Sequence, residues 1–235
     1  MRPFVIRSRT QARSWRTVTI RRKRKDMALK NEDRVSATRA RLIDAAVNAL
    51  AEIGYHRTTF VEVSRRSELS RGAIHHHFES IADLMAAVTR DISRRIQEDL
   101  TAGLQALPDD ADQIDLGIDL IWKQMQEPAF RALNQIRCAL ATDAVLEAAV
   151  QNDVRGVWKW LQERTRSIVM PGKDSSKKID PAVILLVLSS LSGAADNGTA
   201  LGPPEDDPDH SAFLRALKES LQRMGCEQSS SLSVA

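Results

Sequence analysis

The segment from Thr58 to Phe78 constrains the fold of this chain more than any other. It contains two short helical patterns separated by the three residues from Glu68 to Ser70. Thr58 and Thr59 before the first pattern, and Ser70 before the second, carry hydroxyls that can accept hydrogen bonds from the free N–H groups at a helix start. Two short helices joined by so tight a turn predict a helix-turn-helix, in which the second helix packs on the first and keeps one face free.

Apolar residues at helical spacing continue on both sides of this segment. A stripe before it ends at Gly54, and a long seam follows it between Ile81 and Leu107. Aromatic residues make up only 4% of the chain, so material for strands is scarce. We therefore expect an all-α fold. Further helices are predicted over residues 112–126, 128–141, 143–169, 181–195 and 208–224.

Charge and turn residues divide the chain into four predicted segments. Residues 1–30 carry eleven Lys and Arg but a single acid, so residues 1–33 are expected to form a flexible basic arm. Two alternatives are a transit peptide and a native start at Met27. The helix-turn-helix domain is expected over 34–80, a helical body over 81–225 and a disordered tail over 226–235. Within the body, residues 171–180 and 197–207 are predicted to be exposed loops.

The outer face of the second short helix has the composition of a DNA-reading surface. A major groove about 12 Å wide admits a helix whose outward side chains are small, polar or basic. Gly72 and Ala73 are small enough to let the backbone approach a duplex, and Arg71 can bond to a guanine or a phosphate. The predicted DNA-contacting residues are Thr58, Thr59, Ser70, Arg71, Gly72, Ala73, His75, His76 and His77.

The stretch TTFVEVSRRSELSRGAIHHHFESIADLMAAV resembles the helix-turn-helix of TetR/AcrR regulators, most densely over residues 58–88. The resemblance implies a homodimer that binds palindromic double-stranded operator DNA and is controlled by a small-molecule effector. It places the residues matching Thr59, Ser70, Arg71, Gly72, Ala73, His76 and His77 at the DNA surface.

Three positions depart from the family pattern. His75 replaces the usual Tyr, so an imidazole N–H has to replace a phenolic phosphate contact. Glu68 replaces the Gly of the turn and must either adopt a positive φ or shift the turn. Ile81 replaces a Lys that anchors phosphate, a loss for which Arg65 and Arg66, or the basic arm, can compensate.

The body offers two further groups of candidate residues. Adaptable apolar side chains predict an effector cavity, with ordinary core as the alternative. The resemblance implies such a cavity but identifies no ligand. These side chains are Trp122, Met125, Phe130, Cys138 and Trp158. Stripes on the last two helices are the predicted dimer interface, namely Val183, Leu186, Val187, Ser190, Phe213, Leu214, Leu217 and Leu221.

Other classes of function find no support in the sequence. No nucleophile signature or Gly-rich phosphate loop is present, so we expect neither an enzyme nor a cofactor. Successive helix residues diverge by about 100°, so three consecutive histidines do not converge on one metal ion. The longest apolar run, residues 182–188, is too short for a membrane span, and two isolated cysteines fit a reducing cytoplasm.

The sequence thus predicts a transcriptional regulator, in the form of a repressor that a small molecule releases from its operator. The alternative is a ligand-binding helical dimer with weak or lost operator recognition. Glu68 and Ile81 motivate that alternative, since both depart from the pattern at the DNA surface.

Overall fold

The computed structural model describes residues 33–108, 112–169, 180–201 and 208–230. The chain divides into two units, residues 1–42 and 43–235. In the first unit the described residues, 33–42, are helical, and the Thr38 hydroxyl donates to the Arg34 carbonyl at 2.8 Å. The predicted arm lies, except for Asp33, outside the described residues.

All regular structure among the described residues of the second unit is helical, which confirms the all-α prediction. A short 3-10 helix covers Tyr55–Arg57, and no described helix is both long and apolar enough to cross a membrane. The α-helices are α1 (43–53), α2 (Phe60–Ser67), α3 (Arg71–His77), α4 (Ile81–Gln105), α5 (Gln113–Gln126), α6 (Pro128–Ala139), α7 (Ala144–Val169), α8 (Pro181–Leu201) and α9 (Pro208–Ser230).

Two predicted boundaries were wrong. Helix α8 continues to Leu201, so residues 197–201 are helical rather than part of a loop. Gly and Asn only weaken a helix, and Pro203 is the first residue after Pro181 that cannot continue one. Helix α9 continues to Ser230, so residues 226–230 are helical rather than part of a tail. The remaining residues of the predicted loops, 171–179 and 202–207, lie outside the described ranges.

Local signals set the geometry of the helix-turn-helix, α2 and α3. The hydroxyls of Thr59 and Ser70 accept the N–H groups of Glu62 at 3.3 Å and Ala73 at 3.2 Å, so both helices start where the caps predict. Glu68 takes the first of its two predicted options, a left-handed backbone with φ 56° and ψ 28°. The turn therefore keeps its geometry without glycine.

Helix α4 is the centre of the body. Its predicted seam is confirmed, because these positions are at most 2% exposed and α4 packs on α5, α6 and α7. Helices α5 and α7 approach closely at Gly117, where an added Cβ would lie 2.3 Å from Cγ2 of Ile168. The seam consists of Leu84, Val88, Ile92, Ile96 and Leu100.

Candidate nucleic-acid interface

Helix α3 is held from one side only. Ile74 is fully buried and Phe78 is 1% exposed, and α3 packs against α2, whose Val63 is also fully buried. These three apolar side chains occupy the inner side of the helix-turn-helix. The opposite side of α3 is left for contacts with another molecule.

The exposed side of α3 contains most of the predicted DNA-contacting residues. Its positions next to the turn are open, because an added Cβ on Gly72 would meet only the Ser70 hydroxyl, at 3.8 Å. The His75 ring meets the Phe60 ring edge to face, with centroids 5.1 Å apart, which orients the imidazole. The exposed residues are Thr59, Ser70, Arg71, Gly72, His75 and His76, and Ala73 and His77 are half-buried.

Thr58 does not belong to this surface. The residue is 2% exposed, and its hydroxyl donates to the Gly54 carbonyl at 2.8 Å. Its backbone N–H is bonded to the Tyr55 carbonyl, so the side chain closes the turn after the 3-10 helix. Two adjacent threonines look alike as caps in the sequence, and the structure assigns the cap to Thr59 alone.

An ion-pair network beside α3 occupies the two arginines of α2. Glu62 accepts hydrogen bonds from Arg65 at 2.7 and 2.9 Å and from Arg66 at 2.6 Å. These bonds lower the pKa of Glu62 to about 2, and the bond from Arg65 contributes most. Arg66 also donates to Glu52, and its side chain is only 16% exposed. Arg66 is therefore held internally and is a poor substitute for the missing phosphate anchor, whereas the Arg65 side chain is 67% exposed.

The histidine run shows no arrangement for metal binding. The rings of His76 and His77 lie 5.4 Å apart at 72°, and no group of three His, Cys, Asp or Glu in the described part of the chain could hold a metal ion.

The structure brings together only part of the predicted effector cavity. Trp122, Met125 and Phe130 are buried, and the Phe130 ring contacts half-buried Trp158 at a centroid distance of 6.1 Å. Cys138 is exposed at the surface of α6, so its inclusion among the cavity residues was wrong. Cys138 lies two residues after buried Ile136 and one before buried Ala139, which places it off the buried stripe of α6.

A polar cluster next to Trp158 was missed in the sequence. The buried Asn134 amide donates to Asp196 of α8 at 2.5 Å and accepts Arg137 at 2.5 Å. The Arg137 guanidinium lies 5.6 Å from the Trp158 ring centroid. An asparagine within the apolar stripe of α6 was the signal that could have revealed it.

A separate groove runs between α4 and α5. Its volume is about 240 Å³, and none of the predicted cavity residues lines it. Both acidic and basic side chains face it. The lining residues are Asp99, Leu100, Gly103, Leu120, Lys123, Gln124 and Glu127.

The predicted dimer residues fall into two groups. Val187 and Leu221 are 1% and 2% exposed and pack within the chain, so they are not available to a partner. Leu186 is 65% exposed and Leu185 is 53% exposed. The sequence analysis missed Leu185 because residues 182–188 are all apolar, so the pattern does not show which face of α8 is buried. The half-buried members are Val183, Ser190, Phe213, Leu214 and Leu217.

Comparison with known proteins identifies the helix-turn-helix. Residues 42–88 match the model of bacterial regulatory proteins of the tetR family. An uncharacterized HTH-type transcriptional regulator of Mycobacterium tuberculosis is 27% identical over 192 residues, which cover 81% of this chain and 97% of the relative.

Solved structures extend the likeness to the body. A TetR transcription regulator from Haloarcula marismortui has a TM-score of 0.61 at 18% identity, over 82% of this chain and 98% of its own. The regulator FadR from Bacillus subtilis, in complex with stearoyl-CoA, has a TM-score of 0.58 at 14% identity, over 77% of this chain and 96% of its own. Identities this low show a common fold. Together with the matched domain and the Mycobacterium relative, that fold makes the chain similar to TetR-family transcriptional regulators.

Proposed function

We propose that this regulator is a repressor that binds a palindromic operator as a homodimer and leaves it when a small molecule binds the body. The observation that carries the proposal is the exposed side of α3, where Arg71, Gly72, His75 and His76 are accessible while Ile74 and Phe78 hold the helix from behind. In this role the protein binds DNA and an effector and catalyses no reaction.

In this proposal the residues of α3 divide between base and phosphate contacts. Arg71 stands in the first turn of α3, where the N-terminal partial charge of the helix also attracts phosphate. Open space beside Gly72 lets the backbone approach the groove. The proposed contact set also includes Thr59, Ser70, Ala73, His75, His76 and His77. Lost operator recognition is not favoured, because Glu68 adopts the turn conformation that the motif needs.

The proposed dimer uses the outer face of α8. Leu185 and Leu186 are more than half exposed, and an added Cβ on Gly193 meets nothing within 4 Å. A second copy that covers this face removes apolar surface from water and sets two α3 helices for grooves about 34 Å apart. Leu186→Glu is expected to shift the protein to a monomer in sedimentation velocity. Lys159→Glu, on the exposed surface of α7, is the control and should remain dimeric.

The proposed effector site lies between α6, α7 and α8. Phe130 and Trp158 supply apolar surface, while Trp158 Nε1 and Ser192 Oγ are buried without a hydrogen-bond partner within the described residues. Buried polar atoms are normally paired, so these two atoms favour a bound molecule with hydrogen-bonding groups. The FadR of Bacillus subtilis, which has the same fold, forms a complex with stearoyl-CoA.

Footprinting on the promoter regions of its own gene and the neighbouring genes tests the proposed DNA binding. The wild type is expected to protect one palindromic site at physiological salt. Arg71→Ala is expected to weaken that binding by roughly 1 to 3 kcal/mol if Arg71 reads a base. Arg155→Ala, which removes the same charge from the exposed surface of α7, is the matched control. Equal losses of affinity in the two variants would mean that Arg71 contributes only its positive charge. The absence of any protected site would contradict the proposal.

A further inference from the structure

A hydrogen bond joins the helix-turn-helix side of the molecule to the junction of α6 and α7. The Tyr55 hydroxyl, in the 3-10 helix before α2, donates to Oδ2 of Asp143 at 2.6 Å. The two residues are 88 positions apart, and the contact is partly buried. Bonds of this length from a hydroxyl to a carboxylate are among the stronger hydrogen bonds in proteins.

Asp143 is rigidly placed in the body. Its other oxygen, Oδ1, accepts the Leu146 N–H at 2.9 Å, and its carbonyl accepts the Glu147 N–H at 2.9 Å, so the residue caps the start of α7. Its own N–H is bonded to the Ala139 carbonyl at the end of α6. The Asp143 carboxylate therefore moves with the α6–α7 junction as a unit.

Tyr55 is equally well connected to α2. Its carbonyl accepts the Thr58 N–H at 2.9 Å, and the Thr58 hydroxyl bonds to Gly54, whose φ is 79°. Thr59 follows directly as the cap of α2. The cap of α2 thus lies only four positions after Tyr55, along a backbone held by hydrogen bonds, so a displacement of Tyr55 also displaces the start of α2.

The body contacts the helix-turn-helix side of the molecule from two directions. On the α4 side lie the connection from α3 through Ser80 and the ion pair of Arg95 with Asp44 of α1. On the other side lies the contact of the 3-10 helix with α6 and Asp143. Because the two sides are attached to different helices of the body, a shift of the α6–α7 junction relative to α4 acts on the orientation of α2 and α3.

We propose that Tyr55 and Asp143 are a positioning pair that sets the orientation of α3 for operator DNA and transmits movement of the α6–α7 junction to it. The inference rests on the proposed function, because it assigns a regulatory route to the same DNA-contacting helix. Neither residue touches DNA in this scheme. Their effect on DNA binding passes through the backbone from Tyr55 to the cap of α2.

The test compares Tyr55→Phe, which removes only the hydroxyl, with a matched control inside the body. Gln222 of α9 donates to the Asp112 carboxylate at 2.7 Å over 110 positions, and Asp112 caps α5 as Asp143 caps α7. Gln222→Met therefore removes the same kind of bond without involving α2 or α3. Asp143→Asn retains a good cap residue and completes a double-mutant cycle with Tyr55→Phe.

On the promoter fragment bound by the wild type, Tyr55→Phe is expected to lower affinity about tenfold, a size typical of coupling between sites. Affinity for unrelated DNA should not change, because no phosphate-contacting charge is removed. Gln222→Met should change neither affinity. Adding Asp143→Asn to Tyr55→Phe should cost less than the sum of the two single changes. Equal loss on both DNAs, additive effects, or unchanged operator affinity in Tyr55→Phe would overturn the proposal.

Hydrogen exchange of the free protein decides the matter independently of any operator. Amide exchange in α2 and α3 is expected to be several-fold faster in Tyr55→Phe than in the wild type or in Gln222→Met, with exchange in α7 and α9 unchanged. Unaltered exchange in α2 and α3 would overturn the positioning role. A wild type that binds no promoter fragment would count against the proposed function alone, and the exchange measurement would still test the pair.

Discussion

The close approach of α5 and α7 at Gly117 provides a quantitative test of the packing. An alanine Cβ there would lie 2.3 Å from Cγ2, 3.2 Å from Cγ1 and 3.3 Å from Cβ of Ile168. Carbon atoms in contact are separated by about 3.5 to 4.0 Å, so α5 and α7 would have to part by about 1 Å or more. Ile168 is 4% exposed and β-branched, so it has no free rotamer to adopt.

The expected free-energy change follows from two opposing contributions. Overpacking a well-filled core costs about 1 to 3 kcal/mol, while Gly→Ala within a helix contributes about 1 kcal/mol of stability. Gly117→Ala should therefore lower the free energy of unfolding by up to about 2 kcal/mol. Gly156→Ala is the matched control, since it lies within α7 and an added Cβ there meets nothing within 4 Å. That variant should be more stable than the wild type by up to about 1 kcal/mol.

Urea unfolding followed by circular dichroism at a fixed protein concentration measures both changes. A gap of about 1 to 3 kcal/mol between the two variants corresponds to a difference in Tm of very roughly 2 to 12 °C for a chain of this size. In the double variant Gly117→Ala/Ile168→Ala the clash is gone, so the glycine change should cost nothing beyond Ile168→Ala alone. If Gly117→Ala proved as stable as Gly156→Ala, the close packing of α5 on α7 would be refuted.

Two further predictions concern the helix-turn-helix. Glu68→Gly removes a side chain from a backbone with φ 56° and should raise the free energy of unfolding by about 0.5 to 1 kcal/mol in urea titrations; a loss of stability would contradict the left-handed turn. The pKa of Glu62 is lowered to about 2, so its ion pairs stabilise the fold above the ordinary pKa of 4.5 and cease to do so as pH falls towards 2. Glu62→Gln should therefore be less stable than the wild type at pH 6 but not at pH 2, and a difference that persists at pH 2 would exclude this cause.

The sequence is most informative where structure depends on neighbours in the chain. The starts of α2, α3 and α4 follow from hydroxyls three residues before the N–H groups that they accept, and the buried seam of α4 follows from its 3.6-residue spacing. The left-handed turn at Glu68 was one of two options that the chain allowed. The TetR-like pattern over 58–88 is equally local, which is why it could be read without coordinates.

Where the sequence allows two local structures equally well, the packing of the helices selects one of them. Two adjacent threonines can both cap α2, and only the packing of Thr58 against Gly54 selects Thr59. Residues 182–188 of α8 are all apolar, so their spacing does not show which face is buried. The packing of the other helices covers Val187 and leaves Leu185 and Leu186 exposed.

The contact of Tyr55 with Asp143 shows the same limit at long range. Each residue has an obvious local role, in a 3-10 helix and as a helix cap, and nothing in either neighbourhood indicates the other. Local propensities act over a few residues, whereas this bond spans 88. The sequence by itself therefore determined the helices and the DNA-reading motif of this protein, and only the packing of those helices determined what each of them touches.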